Sequence, residues 1–345
     1  MSTDSSHASK RLSLRDVAAQ AGVAVSTVSR VLSDHPDIST RTRERVLAVV
    51  AELGYRPNVL GQMLRQGATR TVGFVIGDIS NPLLAQIALG AETALGTHDY
   101  ALLLSNSMSD LEQERKNLRN LEQRQVDGLL LSVTDEIDPE LISILDGFAG
   151  PMVSIDRTVR LPGGIGSVYS DHTTGIQSAI AAFAEAGHEE IVLITGLATL
   201  RPGRQRIQAA REAASWFGLR CAVEAGAGPT GPDTGDIAAL LTRDKPRPTA
   251  VIAGNNQITA SVLAALERAG LSYPRDVSLV TCDEVSLQQF IKPRIGTIRR
   301  DPFELGKTAA ELLLEGLTGG TESLRHIELP TSFEPGDSIA APPAS

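Results

Sequence analysis

The feature that most constrains this chain is an alternation that begins near residue 72. Short apolar runs recur at 72–76, 100–104, 126–131, 152–155, 191–195, 221–223, 250–253 and 278–281. Their length and continuous apolar character are those of strands buried on both faces. Between them lie longer stretches with apolar residues at helical spacing, including 83–95, 111–123, 174–186, 204–216, 234–241 and 257–269. A parallel strand pair needs a crossover helix, so this order predicts a doubly wound α/β architecture. Eight such strands are more than one comfortable sheet. The length of 345 residues suits two or three domains.

The first 57 residues follow another rule. Residues 14–30 read LRDVAAQAGVAVSTVSR, two short helical stretches joined by Ala21-Gly22-Val23, where Gly22 can take the positive φ of a sharp turn. The second stretch puts Val28, Val31 and Leu32 on one face and Ser26, Ser29 and Arg30 on the other. A short, polar, basic face of this kind suits the DNA major groove. Ser39 is a candidate cap for a third helix running to Leu53, with Val46, Leu47, Val50 and Leu53 expected to cover the first two. Pro57 and Asn58 suit the start of a further helix over 58–66, too short to be stable alone in water. Residues 1–10, polar and serine-rich, read as a disordered tail.

Charge follows the same division. The net charge is −9, yet residues 1–70 hold ten Lys and Arg against six Asp and Glu. A basic head on an acidic remainder is the asymmetry expected where one domain alone meets phosphates. The two cysteines, Cys221 and Cys282, form no metal-ligand spacing or disulfide framework and read as core residues. The scattered histidines, His172 and His188 among them, read as structural or solvated rather than as ligands. No metal or cofactor is expected. The polar N-terminus has no leader-like apolar segment, and no run approaches a membrane span of about 20 residues. A cytoplasmic chain without a membrane partner is therefore expected.

No nucleophile elbow, paired-histidine motif or phosphate-binding lysine loop is present, so no catalytic residue is assigned and the chain is not read as an enzyme. Residues 226–231 spell GxGxxG, but Pro229 and Pro232 remove backbone donors there. A plain Gly/Pro loop is the better reading.

Several segments together resemble the LacI/GalR family of bacterial transcription regulators along nearly the whole chain. They are Ser13-Leu14-Arg15-Asp16-Val17-Ala18, Ala21-Gly22-Val23, Thr27-Val28-Ser29-Arg30-Val31-Leu32, Thr42-Arg43 and Leu53-Gly54-Tyr55-Arg56-Pro57-Asn58. Further on, Gly77-Asp78-Ile79-Ser80-Asn81-Pro82, Val126-Asp127-Gly128-Leu129, Ile155-Asp156-Arg157 and Val277-Ser278-Leu279-Val280 match the family's sensor domain. The resemblance implies an all-α helix-turn-helix head over 11–57, a hinge helix and linker over 58–70, and an effector-binding and dimerisation domain over 71–345. That domain would consist of two Rossmann-like subdomains, as in periplasmic binding proteins. The first would span about 71–168 and 296–326, and the second about 169–295 and 327–340, with crossings near 168, 296 and 327.

Arg30 is the strongest base-reading candidate, since its fork can donate twice to guanine. The resemblance places specificity residues at Val25 and Ser26, and DNA contacts at Ser13, Leu14, Thr27, Ser29, Ser39, Thr42, Tyr55 and Asn58. Leu64 aligns with a hinge leucine that wedges into the minor groove. Two departures point to weaker DNA binding. Ala24 stands where the family has a serine cap, and Gly61 lowers the helix propensity of the hinge by about 1 kcal/mol. The family's ligand shell maps onto Asp78, Asn81, Asp171, Arg206, Asn255 and Asp283, a set suited to a sugar, polyol or nucleoside. Asn256 stands where an aspartate is usual, and Thr230 near an expected aromatic. The C-terminus lacks a leucine heptad, which predicts a homodimer rather than a tetramer. The chain is thus expected to be an effector-controlled repressor of a palindromic operator. A solute-binding protein of a transport system is the alternative.

Overall fold

The computed structural model describes residues 12–32, 35–55, 68–226, 228, 231–244, 246–283 and 290–343. The expected tail, Asn58, Gly61, Leu64 and Thr230 lie outside these residues. The chain divides into two compact units, 1–69 and 70–345.

In the first unit, α1 (Leu14–Ala21), α2 (Val25–Leu32) and α3 (Thr40–Leu53) surround a small core of Val17, Ala18, Ala21, Val28, Val31, Val46, Val49 and Tyr55. Local signals set each end. The Asp16 carboxylate accepts from the Ser13 backbone N–H at 2.8 Å and from its hydroxyl at 2.6 Å, which starts α1. Gly22 closes α1 at φ 63°, so the left-handed residue expected there is present. Ser39 caps α3 by accepting from the Thr42 N–H. One core residue differs from expectation. Leu47 is 46% exposed, and Val49 takes the buried place. Val46, Val49, Val50 and Leu53 follow the i, i+3, i+4, i+7 stripe, whereas Leu47 lies about 100° around the helix from Val46.

The second unit contains two six-stranded sheets. The first has the order β11-β5-β4-β3-β1-β2, from β1 (Thr71–Ile76), β2 (Ala101–Asn106), β3 (Gly128–Leu131), β4 (Met152–Ile155), β5 (Gly166–Ser170) and β11 (His326–Leu329). The second has the order β12-β10-β9-β8-β6-β7, from β6 (Glu190–Thr195), β7 (Arg220–Ala225), β8 (Ala250–Ala253), β9 (Ser278–Cys282), β10 (Gly296–Arg299) and β12 (Ser332–Glu334). Among the described residues every pairing is parallel except β10 with β12. The helices are α4 (Pro82–Gly96), α5 (Leu111–Gln123), α6 (Pro139–Asp146), α7 (His172–Glu185), α8 (Arg201–Phe217), α9 (Thr234–Thr242), α10 (Asn256–Ala269) and α11 (Pro302–Gly319).

Both faces of each sheet are covered. Val72, Phe74 and Ile76 of β1 pack with α4 and α11, while Val75 meets Leu118 and Leu121 of α5. In the second sheet, Ile191 and Leu193 face α7 and α8, while Val192 and Ile194 face α9 and α10. The strands absent from the sequence reading are β5, β10, β11 and β12. Their sequences, GSVYS, GTIR, HIEL and SFE, are short and partly polar, so no apolar run marks them. These strands also move the crossings. Because β5, β10 and β11 end at Ser170, Arg299 and Leu329, the chain changes sheet after those residues, a few positions later than 168, 296 and 327.

Candidate functional site

The head presents α2 as expected. Its Val28 and Val31 are buried, while Val25, Ser26 and Arg30 are exposed and Thr27 and Ser29 half-buried. Ala24 contributes only its carbonyl, which accepts from Thr27 N–H at 2.9 Å and Val28 N–H at 3.2 Å. Ser13 and the Ser39–Thr42 pair serve as caps, the two hydroxyls sharing a 2.9 Å hydrogen bond. Leu14 packs on the head core, and Tyr55 is buried within it. The exposed face of α2 carries Val25, Ser26 and Arg30.

In the larger unit the two sheets present equivalent turns to each other. Asp156 follows β4, and Asp283 follows β9, the strand in the same place of the second sheet. Both have left-handed backbones, at φ 51° and 71°. Asp156 N–H donates to Val168 O at 2.9 Å, and Asp283 N–H to Ile298 O at 3.0 Å, the neighbouring strand in each case. Two non-glycine residues held in this region store strain of the kind that collects at functional sites.

Arg300 joins the two carboxylates. Its Nε donates to Asp283 Oδ1 at 2.6 Å and its Nη2 to Asp283 Oδ2 at 3.1 Å, a bidentate pair. Its Nη1 donates to Asp156 Oδ2 and, at 3.2 Å, to Ser170 Oγ. Burial alone would lower the Arg300 pKa, but Asp283 and then Asp156 outweigh it and hold the guanidinium above its ordinary value. Arg206 approaches from α8, with Nη2 3.9 Å from Asp283 Oδ2, while its buried Nε has no hydrogen-bond partner. Nearby His172 is also buried, with Nε2 unpartnered. Burial, then Arg206, Arg300 and Arg201, push its pKa well below the ordinary value, so the ring is neutral at pH 7.

Further contacts tie the two halves together. The buried Glu136 carboxylate accepts from the Arg201 N–H at 2.8 Å and pairs with Arg204 at 2.7 Å. It thus occupies the amide end of α8. The Arg201 guanidinium lies 3.9 Å from the centre of the Tyr169 ring and pairs with Glu328 at 2.8 Å. Asn256 Nδ2 donates to Asn81 Oδ1 at 2.9 Å.

The expected ligand residues divide into two groups. Asp283 and Arg206 meet in the buried cluster. The others make local contacts that start turns or helices. Asp78 accepts from the N–H and hydroxyl of Ser80, Asn81 caps α4, Asp171 caps α7 and Asn255 caps α10. Asn81 also reaches across, to Asn256. The residues that sequence reasoning did not assign are Asp156, Arg300, Glu136 and Arg201. Asp156 carried a usable signal, since it follows a strand end as Asp283 does. Arg300 carried none, because β10, GTIR, has no apolar run by which to recognise it.

A helix-turn-helix head and a sensor of two matched α/β halves closing on buried charge define a ligand-responsive DNA-binding regulator. Residues 13–58 match the model described as bacterial regulatory proteins, lacI family, and residues 180–339 match a periplasmic binding protein-like domain. The ribose operon repressor of Bacillus subtilis (strain 168) is 32% identical over 320 residues, covering 93% of this chain and 96% of that protein. Catabolite control protein A of Priestia megaterium is 29% identical, covering 94% and 98%. Among solved structures, a LacI family regulator from Enterococcus faecium with bound ribose superposes with a TM-score of 0.67 at 26% identity, covering 79% of this chain and 99% of that one. The chain belongs to the LacI family. It is a DNA-binding transcription regulator and not an enzyme, which removes the transport-protein alternative. No helix among the described residues is long and apolar enough to cross a membrane.

Proposed function

We propose that this cytoplasmic protein is a homodimeric repressor of a palindromic operator, released or engaged by a small neutral polyol, most simply a pentose, bound between the two halves of the sensor. The carrying observation is the pair of opposed aspartates, Asp156 and Asp283, with Arg206 beside them. Carboxylates accept from hydroxyls, and a guanidinium donates to ring or hydroxyl oxygens. Relatives named ribose operon repressors support the pentose. On DNA, Arg30 reads a base, Val25 and Ser26 set preference, and Ser13, Leu14, Thr27, Ser29, Ser39, Thr42, Tyr55 and Asn58 hold the backbone. Leu64 wedges at the centre.

Arg30→Ala should weaken operator binding by roughly 1–3 kcal/mol and relax preference at one base pair per half-site. Equal losses on operator and random DNA would reduce Arg30 to a phosphate contact. Calorimetry with D-ribose tests the effector. Binding abolished by Asp283→Asn, with the fold intact, is the expected result. Unaltered D-ribose binding in that variant would remove the aspartate from the site.

A further inference from the structure

The two buried aspartates are more fully satisfied than those of a waiting polyol site should be. Arg300 has five N–H donors, and four are spent on Asp283, Asp156 and Ser170. Asp283 uses both oxygens on Arg300. Asp156 uses one on Arg300 and the other on the Ser170 N–H at 2.7 Å. The carboxylates that a polyol would need are thus occupied by a side chain of the protein.

The position of that side chain matters equally. Arg300 directly follows β10 and precedes α11, so it lies on the segment where the chain returns from the second sheet to the first. Counting from the matched residues Val168 and Ile298, its counterpart in the first half is Ser170, whose short side chain reaches only its own half's aspartate, Asp156, and Arg300 itself.

We propose that Arg300 is the specificity-setting residue of the effector cleft, an internal stand-in that holds Asp156 and Asp283 together until a neutral polyol displaces it. This inference rests on the polyol reading above for its ligand, though not for the bridge itself. A ligand wins only by presenting hydroxyl donors to both carboxylates. A ligand with a phosphate or carboxylate at either edge would bring like charge against an aspartate that has lost Arg300, and be refused. Arg300 thereby subtracts from effector affinity and ties binding to movement of a crossing segment, where subdomain closure can change.

The test uses the full chain without DNA. Arg300→Gln cannot span both aspartates and leaves them repelling each other. Amide hydrogen exchange at 170–172, 283 and 299–301 should rise at least tenfold, while exchange in β1 and β6 stays as in the parent. The triple change Asp156→Asn, Arg300→Gln and Asp283→Asn, which leaves no bare carboxylate, should show the same local rise and guards against a misfolded single variant. Unchanged exchange at the crossings, or an equal rise in every strand, would overturn the bridge. In calorimetry with D-ribose, Arg300→Gln should bind about tenfold more tightly than the parent, with Arg300→Lys between them. Equal or weaker binding by Arg300→Gln would overturn the competition. If neither protein binds D-ribose, the pentose reading fails, and exchange alone judges the bridge.

Discussion

The two halves of the sensor share one strand order, yet they are packed differently. In the first half, α4 and α11 cross through glycines. A Cβ on Gly90 would collide with the backbone carbonyl of Phe303, and one on Gly306 with that of Ile87. In the second half, the buried α7–α8 layer is built on Ala179, Ala209, Ala210, Ala213 and Ala214. Glycine allows backbones to touch, whereas alanine spaces them by a methyl group. The turns facing the cleft also differ, with Ser170 in one half and Arg300 in the other. The same topology thus yields one tightly crossed half and one that sends a long cation toward its neighbour. A shared fold fixes where side chains emerge, and function resides in what emerges there.

The comparison breaks most visibly in the cores. Phe74 of β1 and Phe183 of α7 are both fully buried, one in each half. Either Phe→Ala change should cost about 3–5 kcal/mol. Because the chain passes between the sheets three times, both variants should unfold in urea as one transition. A second transition in only one of them would show that the halves unfold separately.

The glycine crossing gives a smaller effect. Gly306→Ala should destabilise by roughly 1–3 kcal/mol, since a backbone carbonyl must move. Gly96→Ala at the end of α4, where a Cβ meets open space, should be neutral or stabilise by roughly 0.5–1 kcal/mol. Equal urea midpoints for the two variants would mean that the α4–α11 contact can relax to admit a methyl group.

Most of this architecture is legible along the chain because a strand covered on both faces has to be apolar throughout. That rule found the eight strands that carry an apolar run and missed β5, β10, β11 and β12, whose sequences are partly polar. The same limit applies to the site. Asp283 was visible as an acid after a recognisable strand, and α2 as a helix with one polar face. Arg300 follows GTIR, which has no strand signature, and its partner Asp156 lies 144 residues away. Asn81 and Asn255 were read as ligands from a resemblance, yet both cap helices, because a side chain that begins a helix at a strand's end suits either role.

The smallest effect concerns the two buried histidines and separates the cleft from its supporting layer. His188 satisfies both ring nitrogens at 2.8 Å, on Thr249 and Ser278, and burial lowers its pKa. His172 leaves Nε2 unpartnered, and burial followed by the Arg206, Arg300 and Arg201 charges lowers its pKa much further. Both folded values lie below the unfolded one of about 6.5. As pH falls through 6.5 the unfolded chain takes up protons that the fold refuses, so stability is lost on acidification and present above that pH. Each histidine can contribute a slope of at most about 1.4 kcal/mol per pH unit. Between pH 7.5 and 5.5, above the ordinary carboxylate range, His172→Gln should flatten the stability profile more than His188→Gln. Stability by urea at four pH values checks this. Equal flattening would mean that His172 can take a proton in the folded state, which requires the cluster of arginines around it to open toward solvent or toward the Asp171 carboxylate at the start of the same helix.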